Sequence, residues 1–200
     1  MIDSLTGLAV LRSRRVDRFV DLGSGGGFPG LTLAAALPAD RALLIDSIAK
    51  KVRFLTVAIA AIGLGDQVAA EAVRSESLAA SHHDRDRWPA VTARAVAPLG
   101  ELIELAFPLL RSGGVLVAWK QGDIADGVGL GGELAAARRA LDAIDPNGRI
   151  DVMAAVTVDA GHARDLRELT RHRIVVVERS ASPIAATWPR DPATRRRNPS

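Results

Sequence analysis

The residues best suited to chemistry are gathered at Val20-Asp21-Leu22-Gly23-Ser24-Gly25-Gly26-Gly27-Phe28-Pro29-Gly30. An apolar, β-type run enters this segment and a helical pattern leaves it, so the glycines directly follow a strand. Glycines there let the backbone turn sharply and approach a ligand closely, at the carboxyl edge where open α/β sheets bind. Two registers are open. Gly25, Gly27 and Gly30 fit the G-x-G-x-x-G of dinucleotide folds, but the first glycine then falls three residues past the strand and Pro29 interrupts the fingerprint. The other register, Asp21-x-Gly23-x-Gly25-x-Gly27, begins where the strand ends and carries an acid just before its first glycine. That acid can orient the loop and a ligand's ammonium group, and it would repel a pyrophosphate. Asp46 closes a second strand 23 residues after Gly23, where a carboxylate can accept both ribose hydroxyls of a nucleoside. Dehydrogenases share this acid, so it supports a nucleoside cofactor without choosing one.

Other reactive residue types point to fewer chemistries. Arg94 lies in an otherwise apolar run, Ala90 to Val96, and a buried guanidinium needs a carboxylate, a carbonyl or a ligand. His82-His83, His162 and His172 lack metal-ligand spacing and have no cysteine to help, so no metal site is expected. Ser24 has no partner at nucleophile-elbow spacing. Trp88 and Trp119 flank or lie in predicted strands and read as core. The absence of cysteine excludes disulfides, thiolate zinc and a cysteine nucleophile.

The elements that must position these residues follow from the apolar pattern. Strands are expected at Val16–Leu22, Ala42–Asp46, Gln67–Val73, Ala90–Val96, Val115–Trp119, Ile150–Val158 and Arg173–Glu178. Helices are expected from the glycine loop to about Leu37, and over Lys50–Ile62, Leu99–Leu110 and Glu133–Ile144. Such alternation predicts an α/β fold, a mostly parallel sheet with helices on both faces and an antiparallel closing pair at its edge. With 200 residues, 48% hydrophobic and 24% charged, the chain can bury one ordinary core. No apolar run reaches a membrane span, and the order of apolar and basic residues at the N-terminus is wrong for a secretory signal. A cytoplasmic protein is expected. Charge is uneven: residues 183–200 hold four arginines and one aspartate, while the remaining 22 basic and 22 acidic residues cancel. The chain therefore divides into a domain over 1–182 and a basic, proline-bearing tail over 183–200 that can seek polyanions.

The register beginning at Asp21 is that of S-adenosylmethionine-dependent methyltransferases, and four stretches narrow the likeness. They are the glycine loop with its "GFPG" ending, Asp46-Ser47 followed by Lys50-Lys51-Val52-Arg53-Phe54-Leu55, Thr92-Ala93-Arg94-Ala95-Val96-Ala97-Pro98-Leu99, and Trp188-Pro189-Arg190-Asp191-Pro192 with Pro199 beyond. In this order the sequence resembles the bacterial small-subunit (16S) ribosomal RNA guanine-N7 methyltransferases, the glucose-inhibited division B family. The resemblance implies a class I methyltransferase fold, S-adenosylmethionine as cofactor and a guanine of 16S rRNA or the small ribosomal subunit as acceptor. It places cofactor contacts at Gly23, Gly25, Phe28, Asp46, Ser75, Glu76 and Arg94. Guanine N7 carries a lone pair and no proton, so no catalytic acid or base is assigned. Arg74, Lys120, Arg190, Arg195, Arg196 and Arg197 are expected on RNA phosphates. A monomer without metal or membrane is expected. Family members usually carry a helical segment ahead of the Asp3-Ser4-Leu5 position, where this sequence begins, and glycine and proline where Ala193 and Arg195 stand. Two readings stand beside the first: a class I methyltransferase acting on another RNA or a small molecule, and a truncated, non-catalytic RNA-binding remnant.

Overall fold

Strand propensity along the chain is set by short, doubly apolar runs, which only a sheet covered on both faces can bury. The structure, a computed structural model, describes residues 2–37, 40–122, 130–154 and 172–197. The side chains of Ile2 and Arg196 lie outside that description, as do His162, Pro199 and the 155–158 end of the sixth expected strand. Seven strands form one sheet: β1 (Arg18–Leu22), β2 (Arg41–Asp46), β3 (Val68–Ala72), β4 (Trp88–Arg94), β5 (Leu110–Gln121), β6 (Arg149–Ala154) and β7 (His172–Glu178). Their order is β3-β2-β1-β4-β5-β7-β6. The first five run parallel, and β7 is antiparallel to both neighbours. The chain steps outward from β1 to β3 and then returns to place β4 on β1's other side. That reversal opens a crevice at the carboxyl ends of β1 and β4.

Alternation along each strand divides the core. On one face Phe19, Ala42, Leu44 and Ala90 pack against α2 (Leu8–Ser13), α3 (Gly30–Ala36) and α4 (Ala49–Ala61). On the other, Val20, Leu43, Val91 and Ala93 pack against α5 (Ser75–Ala80), α6 (Leu99–Ala106) and α7 (Leu130–Ile144). Two short helices complete the description, α1 (Ile2–Leu5) and α8 (Pro192–Arg197). Among the described residues no helix is long and apolar enough to cross a membrane.

The departures from expectation are local. The closing pair is antiparallel and stands at one edge as expected, with the last strand, β7, inside β6 because it buries Ile174 to Val177 against both neighbours. The helix expected to reach Leu110 ends at Ala106, two residues before Pro108, which has no N–H to continue it. β5 starts at Leu110 rather than Val115, and its pairing with β4 jumps between Trp88 and Ala90 to absorb Gly113-Gly114. Part of the proline-bearing tail is helical: Asp191 accepts the backbone N–H of Ala193 (2.9 Å) and Thr194 (3.0 Å) and starts α8.

Candidate cofactor and acceptor site

At the end of β1 the chain must turn beneath the tip of β4. Gly23 does so at φ +61, and a Cβ there would stand 2.7 Å from Val96 Cγ2. Gly30 starts α3 where a Cβ would meet Asp21 Oδ2 and Leu44 Cδ2, both at 2.5 Å. Without one, the helix start comes close enough for the Gly30 N–H to reach Asp21 Oδ2 at 3.2 Å. Asp21 is fully buried, and its Oδ1 accepts the Thr92 hydroxyl at 2.6 Å. Burial pushes its carboxyl up to about 6, against the Thr92, Ser24 and Gly30 hydrogen bonds and the Arg94 charge that lower it. Asp21 thus braces the loop from inside, joining β1, β4 and α3.

Asp46 performs the matching task from β2. Its carboxylate accepts the N–H of Gly25 (3.1 Å) and of Ile48 (2.9 Å), and Lys51 Nζ lies 3.4 Å away. The loop is therefore held by two acids, one behind it and one beside it.

These elements enclose a cavity of about 320 Å³, within the size range of small-ligand sites. Gly23, Asp46, Arg74, Ser75, Glu76 and Val96 line it, so β1, β2, β3 and β4 all contribute their carboxyl ends. A Cβ on Gly26 would meet nothing within 4 Å, which leaves the loop's outer backbone open. The donor set suits a nucleoside: a carboxylate at the end of β2, a polar pair at the end of β3 and apolar Leu22, Ile45 and Leu105 between them.

A second cavity, of about 410 Å³, is lined by Asp3, Arg94, Ala95, Trp119, Lys120, Gln121 and His172. The two cavities meet at Ala95, which adopts φ +55. A left-handed alanine costs about 1 kcal/mol or more, and here it lets the tip of β4 face both spaces. Asp3 is central to the second cavity. Its Oδ2 lies 3.2 Å from Arg94 Nη1 and its Oδ1 lies 3.0 Å from His172 Nδ1.

Of the residues expected to touch a cofactor, Gly23, Asp46, Ser75 and Glu76 line the first cavity, and Gly25 is tied to Asp46. Phe28 and Arg94 stand apart from that cavity. The Arg94 guanidinium lies 5.7 Å from the centre of the exposed Phe28 ring and borders the second space. Of the residues expected on RNA, Arg74 lines the cofactor-sized cavity. Lys120 Nζ is engaged by the Ala97 carbonyl at 2.9 Å and by Glu133 at 2.5 Å. Arg190 pairs with the buried Glu104 and Arg195 with Glu76 and Glu101, while Arg197 is exposed. The sequence names Asp3 in a motif without a role and His172 only as a histidine without metal-ligand spacing, and it singles out neither Glu101 nor Glu133. Their partners lie 13 to 169 residues away in the chain, beyond the reach of helix or strand periodicity. Among the described residues no cluster of three or more acids and histidines could hold a metal ion.

The sequence profile of the rRNA small subunit methyltransferase G family matches residues 1–128. The chain belongs to that family. It is 39% identical over 193 residues to ribosomal RNA small subunit methyltransferase G of Deinococcus radiodurans, covering 94% of this chain and 68% of the relative. It is 36% identical over 171 residues to the protein of the same name from a Roseiflexus species, covering 86% and 65%. The chain thus spans about two thirds of the length of these two family members. Among solved structures it is similar to an O-methyltransferase from Bacillus cereus in complex with SAH (TM-score 0.63, 16% identity, 88% of this chain and 80% of that one). It is also similar to the O-methyltransferase TomG from Streptomyces achromogenes in complex with SAM (TM-score 0.62, 17% identity, 89% and 79%). At such identity these likenesses establish the fold, which is the class I methyltransferase fold.

Proposed function

We propose that this protein transfers a methyl group from S-adenosylmethionine to N7 of a guanine in 16S rRNA, acting as a cytoplasmic monomer on the rRNA or the small ribosomal subunit. The observation that carries the reading is the pair of cavities joined at Ala95, one furnished for a nucleoside and one for a polar, anionic-backboned acceptor. Family membership and the names of the relatives support the choice of acceptor.

When bound, S-adenosylmethionine supplies a methyl group on a sulfonium centre, activated for attack by a neutral nucleophile. The chain's own work is then positioning. Asp46 accepts the ribose hydroxyls, Gly23 and Gly25 bring the backbone close to the amino-acid end, and Ser75 and Glu76 flank the purine. Guanine N7 needs no base to deprotonate it, and methylation leaves the base with a positive charge. Asp3 faces the space where that charge develops, and Arg94 holds its carboxylate in place.

The test is methyl transfer to small ribosomal subunits that lack the modification, followed by mass spectrometry of nucleosides from the 16S rRNA. New N7-methylguanosine is expected. Methyl groups appearing elsewhere, or preferential binding of NAD over S-adenosylmethionine, would overturn the assignment.

A further inference from the structure

One wall of the nucleoside cavity comes from the far end of the chain. Arg195 of α8 lines the cavity, and its side chain is only 7% exposed. Its guanidinium pairs with Glu76, lies 3.3 Å from Glu101 Oε1 through Nε, and donates to the Arg190 carbonyl. A buried guanidinium with this many acceptors is fixed in orientation, and so is the carboxylate it grips.

The segment that delivers Arg195 is itself anchored. Arg190 pairs with Glu104, which is fully buried in α6, and its guanidinium lies 5.2 Å from the centre of the Trp188 ring. Arg85 donates to the carbonyls of Ile184 (3.3 Å), Ala185 (2.9 Å) and Trp188 (3.0 Å). Ile184 is buried in the core that α6 and α7 share. The tail is strapped across α5 and α6 and brings Arg195 to the cavity.

We propose that Arg195 is a positioning residue of the cofactor site, and that it holds the Glu76 carboxylate where it accepts a hydrogen bond from the 6-amino group of the adenine. The inference rests on reading this cavity as the cofactor site. Glu76 lies in the first turn of α5, just after β3, and lines the cavity alongside Ser75. Released from Arg195, it would be free to turn toward solvent, and the purine end would lose both an acceptor and a wall. The tail, on this view, selects the cofactor's base in addition to any contact it makes with RNA.

The experiment is calorimetric titration of the full chain with S-adenosylhomocysteine and with its analogue lacking the purine 6-amino group. The unaltered protein is expected to favour the amino ligand by about tenfold, the worth of one charged hydrogen bond. Arg195→Ala should weaken S-adenosylhomocysteine and erase the preference, and Arg195→Lys should restore part of it. Glu76→Ala should erase the preference equally, and the double variant should lose nothing further. Equal affinity and preference in Arg195→Ala and the unaltered protein would overturn the proposal while leaving the cofactor reading intact. Additive losses in the double variant would also overturn it, since Arg195 would then act independently of Glu76. Thermal unfolding of each variant identifies any that is not folded, and the Arg195→Lys and Glu76→Ala comparisons then decide. Failure of the unaltered protein to bind S-adenosylhomocysteine at all would overturn the cofactor reading and this proposal with it.

Discussion

Asp46 serves two masters at once, because the carboxylate that is to hold a ribose already holds the Gly25 and Ile48 N–H groups. Asp46→Ala should therefore weaken S-adenosylhomocysteine binding by about 1–3 kcal/mol through the lost charged hydrogen bonds, which calorimetry would read. Unchanged binding would move the ribose away from β2. Asp21 makes a different prediction. Its carboxyl is raised in the folded state to about 6 from 3.8, so the folded protein holds its proton more tightly than the unfolded chain. The resulting stability is fully present below the unfolded value and is lost as pH rises through about 6. Two units correspond to about 3 kcal/mol. In Asp21→Asn the Oδ1 can still accept from Gly30 and the amide can donate to Thr92, so urea unfolding should be flatter with pH over this window than in the unaltered protein. Arg94 borders the second cavity, proposed above for the acceptor, and its side chain is 30% exposed in its pair with Asp3. Exposed pairs contribute about 1 kcal/mol or less. Arg94→Ala should thus abolish methyl transfer with little change in melting temperature or in S-adenosylhomocysteine affinity. Loss of that affinity would return Arg94 to the cofactor.

At the level of elements, a carboxylate adds a polar tie between α6 and α7 to the core they share. Glu133 of α7 accepts the Leu99 N–H that opens α6, at 2.6 Å, and also pairs with Lys120 of β5. Glu133→Ala should cost about 1–2 kcal/mol in chemical unfolding, as loss of a helix cap does. Such long-range ties explain what could and could not be read from the sequence. Strands β1, β2, β4 and β5 were legible because their apolar runs are bounded by glycine and acids, and the glycine loop and Asp46 because local spacing carries their chemistry. Helix α5 was not foreseen. It is six residues long, and only Ser75, Leu78 and Ala79 are buried, too few for a period to emerge. The place of β7 between β5 and β6 is fixed by pairing across the sheet, which no local pattern encodes. For the same reason the arginines of the tail were legible as charge but not as ion pairs, since Glu76, Glu101 and Glu104 lie about ninety or more residues earlier.

Across the whole molecule, the basic excess of residues 183–200 is partly turned inward. Because Arg190 and Arg195 pair with glutamates, the variant Arg190→Ala/Arg195→Ala should melt at lower temperature yet keep the salt slope of RNA binding. A slope shallower by about 0.7 per lost contact on single-stranded RNA would reassign those arginines to phosphates. The strap that carries them has a further meaning for synthesis. Translation runs from the N-terminus, so residues 184–197 follow every strand of the sheet out of the ribosome. While they are still within the exit tunnel, the nucleoside cavity lacks its Arg195 wall even though the glycine loop, Asp46 and Glu76 have already emerged. A nascent chain, or one cut short before Arg195, would present this cavity without one of its lining residues. If Arg195 holds Glu76 as proposed, affinity for the cofactor would rise only once residues 184–197 have emerged and docked, so the tail would report that the seven strands before it have been made.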